Sequence, residues 1–412
     1  MTKSSTARTR AKRIIILGDG MADEPISSLG NKTPLQVANK PNIDMIAKLG
    51  RSGLLSTVPK GYHPGSEIAI LSLLGYDLDK VFEGRGSLEA ASMGVAIEPG
   101  EMVMRCNLIN ITDGKIISHA AGHISNEEAK ELIDYLQEKL GNESIRFFNG
   151  VSYRHLLKIK GGNKHINTTP PHDVLGSDFT PLLSKSVVPD AQPTADLIND
   201  LIMKSQELLP MHRVNEMRVA AGKLPANSIW PWSPGYKPAM ETFMQKYGIT
   251  SGSAISAVDL IKGIGVYAGL DPIYVEGATG LYNTNYEGKT AAAIDALKKQ
   301  DFVFLHIEAS DEAGHEGDVE LKVKTIEYLD SRVVGPILKE VSTWSEPVTI
   351  AVLPDHPTPC YLRTHTNNPV PFAIYCKDAE PDVVDKFDEF AARNGSFGLL
   401  HGDEFMNMLM AK

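Results

Sequence analysis

The chain has 412 residues, 42% of them apolar and 22% charged, which is the balance of a soluble globular protein too long for one ordinary core. A net charge of −10 without a basic stripe excludes a nucleic-acid binder but leaves room for small anionic ligands, which need only a local cationic pocket. Three widely spaced cysteines (Cys106, Cys360, Cys376) exclude a disulfide framework and a thiolate zinc site and fit a reducing, cytoplasmic compartment, and no apolar run of about 18 residues announces a membrane span.

Residues 1–11 read as a disordered basic lead-in, followed by too short an apolar run for a signal peptide. Ile14 to Leu17 is a continuous apolar run, as expected of a buried parallel strand, and it ends in Gly18-Asp19-Gly20. Ligands collect at the carboxyl ends of such strands, so Asp19 is either a ligand or a turn aspartate. A helix over Pro41–Leu49 and a strand over 53–58 follow. His63-Pro-Gly-Ser66-Glu67 then opens a helical run that stops at Gly75. Ser66 is thus either an N-cap or a group at a helix start, where free N–H groups favour an anion.

From 83 to 250 the character changes, and this stretch reads as an inserted α+β domain between 1–82 and 251–412. Strands are expected at 102–111, 145–148 and 153–159. Helices are expected at 126–140, with a Ser125/Glu128 capping box, and at 194–209. Its loops hold His119, His123, Arg154, His155, His172, Asp173, Arg218 and Lys223, each of which is ordinarily a solvated surface group. Beyond 252 a helix over 255–268 carries Lys262, and strands at 273–276 and 302–308 lead to Asp311-Glu-Ala-Gly-His315. On a helix, Asp311 and His315 share one face and can grip one ion. A long helix over 319–341 precedes the apolar run 347–353, which delivers Asp355-His356, with His365 nine residues on. A strand at 371–376 and a C-terminal helix from Asp403 complete the chain. Neither a P-loop nor a dinucleotide fingerprint is present.

Asp19, Ser66, Asp311, His315, Asp355, His356 and His365 all fall at strand exits or at one helix start. Seven such residues are better explained by a two-metal site than by seven accidents, and carboxylate and imidazole donors suit Mn, Zn, Co or Mg.

The landmarks GDGMAD (18–23), HPGSEIAILSLLGYD (63–77), DEAGHEGD (311–318), PDHPTP (354–359) and THTNNPVPF (364–372) resemble the alkaline-phosphatase superfamily. Within it they are similar to the archaeal-type cofactor-independent phosphoglycerate mutases, from Ile14 to the C-terminus. The resemblance implies a doubly wound α/β sheet with helices on both faces, split by the inserted domain. It implies two divalent ions, Mn by family habit, and no 2,3-bisphosphoglycerate. One ion would be held by Asp19, Ser66, Asp355 and His356, the other by Asp311, His315 and His365. Ser66 would carry the phosphoryl group between the hydroxyls of a small anionic phosphorylated substrate. Lys262 and Arg218 would assist, and His123, Arg154, Asp173, Arg218 and Lys262 would bind substrate. Oligomeric state is left open. One segment departs from the pattern. Where the family's mutases carry an Arg-Gly-rich stretch, this chain has Ser228-Ile-Trp230-Pro-Trp232-Ser-Pro-Gly235, which reads as a packing lid or a stacking surface. A bacterial branch with such a segment has been proposed as homoserine kinases. That alternative, a phosphatase, and a metal-binding protein without turnover therefore stand beside the mutase.

Overall fold

The computed structural model describes residues 11–377 and 379–411, so the lead-in expected at the N-terminus lies, but for Ala11, outside the described residues. The chain forms two compact units: one runs to Val81 and resumes at Met240, and the other is Phe82–Ala239. The return passage thus falls before the expected 250/251 junction.

The first unit is built on an eight-stranded sheet in the order Asp271–Ile273, Gly252–Ile255, Phe302–Ile307, Lys12–Gly18, Val348–Leu353, Val370–Cys376, Arg51–Ser56, Gly398–His401. Only Val370–Cys376 runs antiparallel to its neighbours. Successive strand residues point to opposite faces. Ile14 and Ile16 on one side and Ile15 and Leu17 on the other are all at 0% exposure, so both faces are covered, as the doubly wound α/β expectation requires.

Several elements differ from the sequence reading. The expected 255–268 helix begins only at Asp259, and Ile255 instead ends a strand, Gly252–Ile255, whose four residues are too few to show a period. The strands Ser228–Gly235 and Gly398–His401 were not expected. The long helix is interrupted by a π-helical stretch, Leu329–Val334. This stretch turns Asp330 towards the Pro41–Leu49 helix, whose own cap residue Lys40 makes no side-chain bond to the first-turn N–H groups. Asp330 accepts from the N–H groups of Asn42 (2.8 Å) and Ile43 (2.7 Å), capping that helix from a distant segment.

The second unit is an antiparallel sheet around the twelve-residue strand Glu101–Thr112, packed on the helices Asn126–Leu140 and Gln192–Leu208. Ser125 and Glu128 form the expected capping box. Among the described residues no helix is long and apolar enough to cross a membrane.

Candidate functional site

Strand register brings the site together. Gly18 lies level with Ile307, and Leu17 with Leu353, so the three central strands end at one edge of the sheet. Asp19, the Ala309–Glu316 helix and Asp355-His356 leave from that edge. The following strand is antiparallel and starts there, so the whole connection carrying His365 stays beside them. Gly20 has φ +60, and a Cβ on it would lie 2.5 Å from Asp311 Oδ1 and 2.6 Å from Thr358 Oγ1. Only glycine lets the Asp19 turn come this close.

Ser66 is the first residue of the Ser66–Leu73 helix. The cap position belongs to Gly65, with no side-chain cap bond, so the N-cap reading of Ser66 fails and its hydroxyl is free for other work. Ser66 Oγ lies 3.4 Å from Asp19 Oδ2 and 3.3 Å from His356 Nε2. Asp355 Oδ1 accepts from Gly20 N at 3.1 Å and from His356 N at 2.9 Å. Asp311 stands 3.2 Å from His315 Nε2 and 3.4 Å from His365 Nε2, one carboxylate oxygen to each.

The donor set fits divalent metal. Asp19 Oδ1 and Asp355 Oδ2 are buried with no hydrogen-bond partner, a costly arrangement for carboxylates unless a cation meets them. All three histidines engage Nδ1 elsewhere: His315 with Arg363 O (3.0 Å), His365 with Pro64 O (3.4 Å) and His356 with Thr358 Oγ1 (3.3 Å). Such partners set the tautomer that leaves Nε2 as the free lone pair. The Nε2 atoms of His315 and His365 lie 2.9 Å apart. Ligand atoms within 4.8 Å of one another form two groups, Asp311/His315/His365 and Asp19/Asp311/His356. Asp311 thus belongs to both groups, where the resemblance gives it to one.

The electrostatics are those of closely packed buried carboxylates and imidazoles. Burial, then the nearby Asp355 and Asp311, pushes Asp19 well above the usual carboxylate range. Burial alone would also raise Asp311, but hydrogen bonds from His315 and His365 draw it well below. The same bond to Asp311 lifts His315 to about 9. His306, absent from the sequence reading, donates to Asp19 Oδ2 at 2.8 Å while its Nδ1 faces Ser256 Oγ at 3.0 Å, and burial holds it neutral, down to about 3. A histidine inside the apolar strand Phe302–Ile307 was the available signal. Thr358, whose hydroxyl is 2.5 Å from Asp311 Oδ1, gave none.

The expected helper groups fall out differently. Lys262 lies in the first unit, in the Asp259–Tyr267 helix that packs on the Ser66 helix; it pairs with Asp259 at 2.7 Å and lies 4.6 Å from the Tyr274 ring centre. His123, Arg154 and Asp173 are exposed in the second unit. Arg218 is not free to meet a substrate. It is 2% exposed and bound to Glu128, to Leu224 O (2.9 Å) and to Ala121 O (2.6 Å), which makes it a brace of the second unit rather than a catalytic or substrate-binding group. His155 likewise is a core residue, its Nδ1 accepting from Gly150 N. Arg105, a charge in the middle of an apolar strand, is likewise buried in the second unit. It lies against Glu89 at 3.2 Å and stacks on Trp232 at 4.5 Å, near His172, whose ring is 5.4 Å from that of Trp232.

Trp230 and Trp232 are neither lid nor exposed stacking surface. Both are buried in the core of the second unit, on a strand paired with Glu101–Thr112, with Trp230 Nε1 donating to Thr169 O and Trp232 Nε1 to Asn107 Oδ1.

A family model described as 2,3-bisphosphoglycerate-independent phosphoglycerate mutase matches residues 47–215. A protein of that name from Methanosarcina acetivorans is 51% identical over 97% of this chain and 99% of its own. A probable mutase of the same kind from Geobacter sulfurreducens is 45% identical, with 97% and 99% covered. Among solved structures, the cofactor-independent phosphoglycerate mutase of Thermoplasma acidophilum superposes with a TM-score of 0.69 at 30% identity, covering 97% of this chain and 99% of that one.

Proposed function

Because the chain belongs to the 2,3-bisphosphoglycerate-independent phosphoglycerate mutase family, we infer that it interconverts 3-phosphoglycerate and 2-phosphoglycerate through a phosphoserine at Ser66. The observation that carries the residue assignment is the uncapped Ser66 hydroxyl at a helix start, within 3.4 Å of both Asp19 and His356.

Divalent metal ions are the cofactor. Asp19, Ser66, Asp355 and His356 would hold one, Asp311, His315 and His365 the other, with Asp311 able to lean to either. Mn is the proposed native ion. The ions supply Lewis acidity, which lowers the pKa of the serine hydroxyl and neutralises the transferred phosphoryl group. The chain's own residues do the rest. Ser66 gives up its hydroxyl proton and its Oγ forms a bond to phosphorus as the bond from phosphorus to the substrate's 3-oxygen breaks and that oxygen takes up a proton, at the positive end of the Ser66–Leu73 helix. The glycerate then takes the phosphoryl group on its 2-oxygen, the serine bond breaks, and no bisphosphoglycerate is consumed. His123, Arg154 and Asp173, exposed in the second unit, and Lys262 are the groups proposed to bind substrate, with Arg154 and Lys262 as the cations for its anionic groups.

The homoserine kinase alternative loses its ground, since its one sequence signal, Trp230 and Trp232, is core packing, and relatives of 45–51% identity bear the mutase name. The test is conversion of 3-phosphoglycerate by the Mn-loaded chain without bisphosphoglycerate, with quenched enzyme mapped for phosphate on Ser66. A requirement for bisphosphoglycerate, or phosphate on a different residue, would overturn the reading. Turnover of ATP with homoserine and none with phosphoglycerate would reinstate the kinase.

A further inference from the structure

The loops that carry the candidate ligands are held by a residue that is not a ligand. Lys322 lies in the Val319–Tyr328 helix, which directly follows the helix bearing Asp311 and His315, and it is 0% exposed. A buried ammonium needs its three donors met. They go to Asp23 Oδ2 (2.8 Å), Thr358 O (2.8 Å) and Ala22 O (3.1 Å). All three acceptors belong to the two loops that leave the sheet with Asp19 and with Asp355 and His356. Asp23 Oδ2 also accepts from Cys360 N at 3.1 Å, closing a ring between these loops.

Thr358 is the junction. Lys322 holds its carbonyl, while its hydroxyl is 2.5 Å from Asp311 Oδ1 and 3.3 Å from His356 Nδ1. Gly314 of the Ala309–Glu316 helix presses on the same carbonyl, since a Cβ there would lie 2.4 Å from Thr358 O. The threonine therefore has little room to move, and two candidate ligands, Asp311 and His356, lie against its hydroxyl.

We propose that Lys322 is a positioning residue of the phosphoryl-transfer centre: paired with Asp23, it fixes the Asp19 loop and Thr358, and through them the spacing of Asp19, Asp311 and His356. This rests on the reading of those residues as metal ligands. A purely structural role would be filled by any packing that leaves no lone charge, whereas a positioning role shows in ion affinity.

The experiment measures Mn binding to the metal-stripped full chain by electron paramagnetic resonance of the free ion, with melting in chelator as the control for folding. The first variant joins Lys322→Met to Asp23→Asn, removing the charge pair together at nearly constant volume. The second, Thr358→Val, removes only the hydroxyl. Both are expected to bind Mn about 10–100-fold more weakly, with kcat reduced and KM for phosphoglycerate little changed. Parental affinity in the folded double variant overturns the proposal. Should the double variant not fold, Thr358→Val decides: parental affinity overturns the proposal and weakened affinity supports it. A parent chain that binds no Mn overturns the metal reading itself, and this one with it.

Discussion

Glu389→Gln should stabilise the chain at alkaline pH. Glu389 accepts from Asp23 N at 3.0 Å and from Thr33 Oγ1 at 2.7 Å, so it holds the far end of the loop that begins with Asp19. It borders a cavity of about 450 Å³ shared with Arg393 and Asn368. Burial raises it from 4.5 to about 7, with the two hydrogen bonds pulling back only in part. For a carboxyl raised in the folded state, the associated stability is fully present below the unfolded value of 4.5 and is lost as pH rises through about 7. A shift of about 2.5 units at about 1.4 kcal/mol each makes the ionised group cost about 3 kcal/mol by pH 8, a ceiling because water can reach it through the cavity. Glutamine keeps an acceptor oxygen for Asp23 N, turns its amide NH2 to the Thr33 hydroxyl, which can accept instead of donate, and removes the charge. Calorimetry in chelator should therefore show the variant melting up to roughly 6–12 °C higher at pH 8, and by less than a third of that at pH 5. An equal gap at both pH values, or a variant that melts lower at pH 8, would refute the reasoning.

Ser66→Ala should lower turnover at least about a thousandfold while melting is unchanged and no phosphoenzyme is trapped; retained activity would remove Ser66 from the chemistry. Ion affinity should rise with pH up to about 9, because His315 must shed its proton before Nε2 can bind; a pH-independent Mn affinity between 6 and 9, read by titration calorimetry, would contradict this. Loading with ions at about a hundred times their dissociation constant should add about 2.7 kcal/mol of stability, checked by melting before and after chelation. Arg218→Met should cost about 2–4 kcal/mol of stability through its lost links to Glu128, Ala121 and Leu224, yet leave KM per folded molecule unchanged; a raised KM without loss of stability would restore it as a substrate ligand.

Much of the centre was legible because its residues sit in local patterns. Asp19 and Asp355 each follow an apolar run, and Asp311 and His315 are one helical turn apart. Such signals need only the chain's own periodicity. The readings that failed depended on partners remote in sequence. Proline in the Trp-rich segment argues against a strand, and Pro231 is accommodated because Ser228–Gly235 pairs on one side only, with Glu101–Thr112. Arg218 looked like any loop cation until Glu128 and two carbonyls were placed around it.

By itself, then, the sequence determined the class of fold, the family resemblance and the seven candidate ligands, because buried strands and helix turns write their period into neighbouring residues. Tertiary structure alone decided what those residues touch. It placed His306 behind Asp19, set Thr358 between Asp311 and His356, put Lys322 across two loops, and sent both tryptophans into the core. These are contacts between segments up to some three hundred positions apart, and no local pattern records them, because they are set by strand order and register.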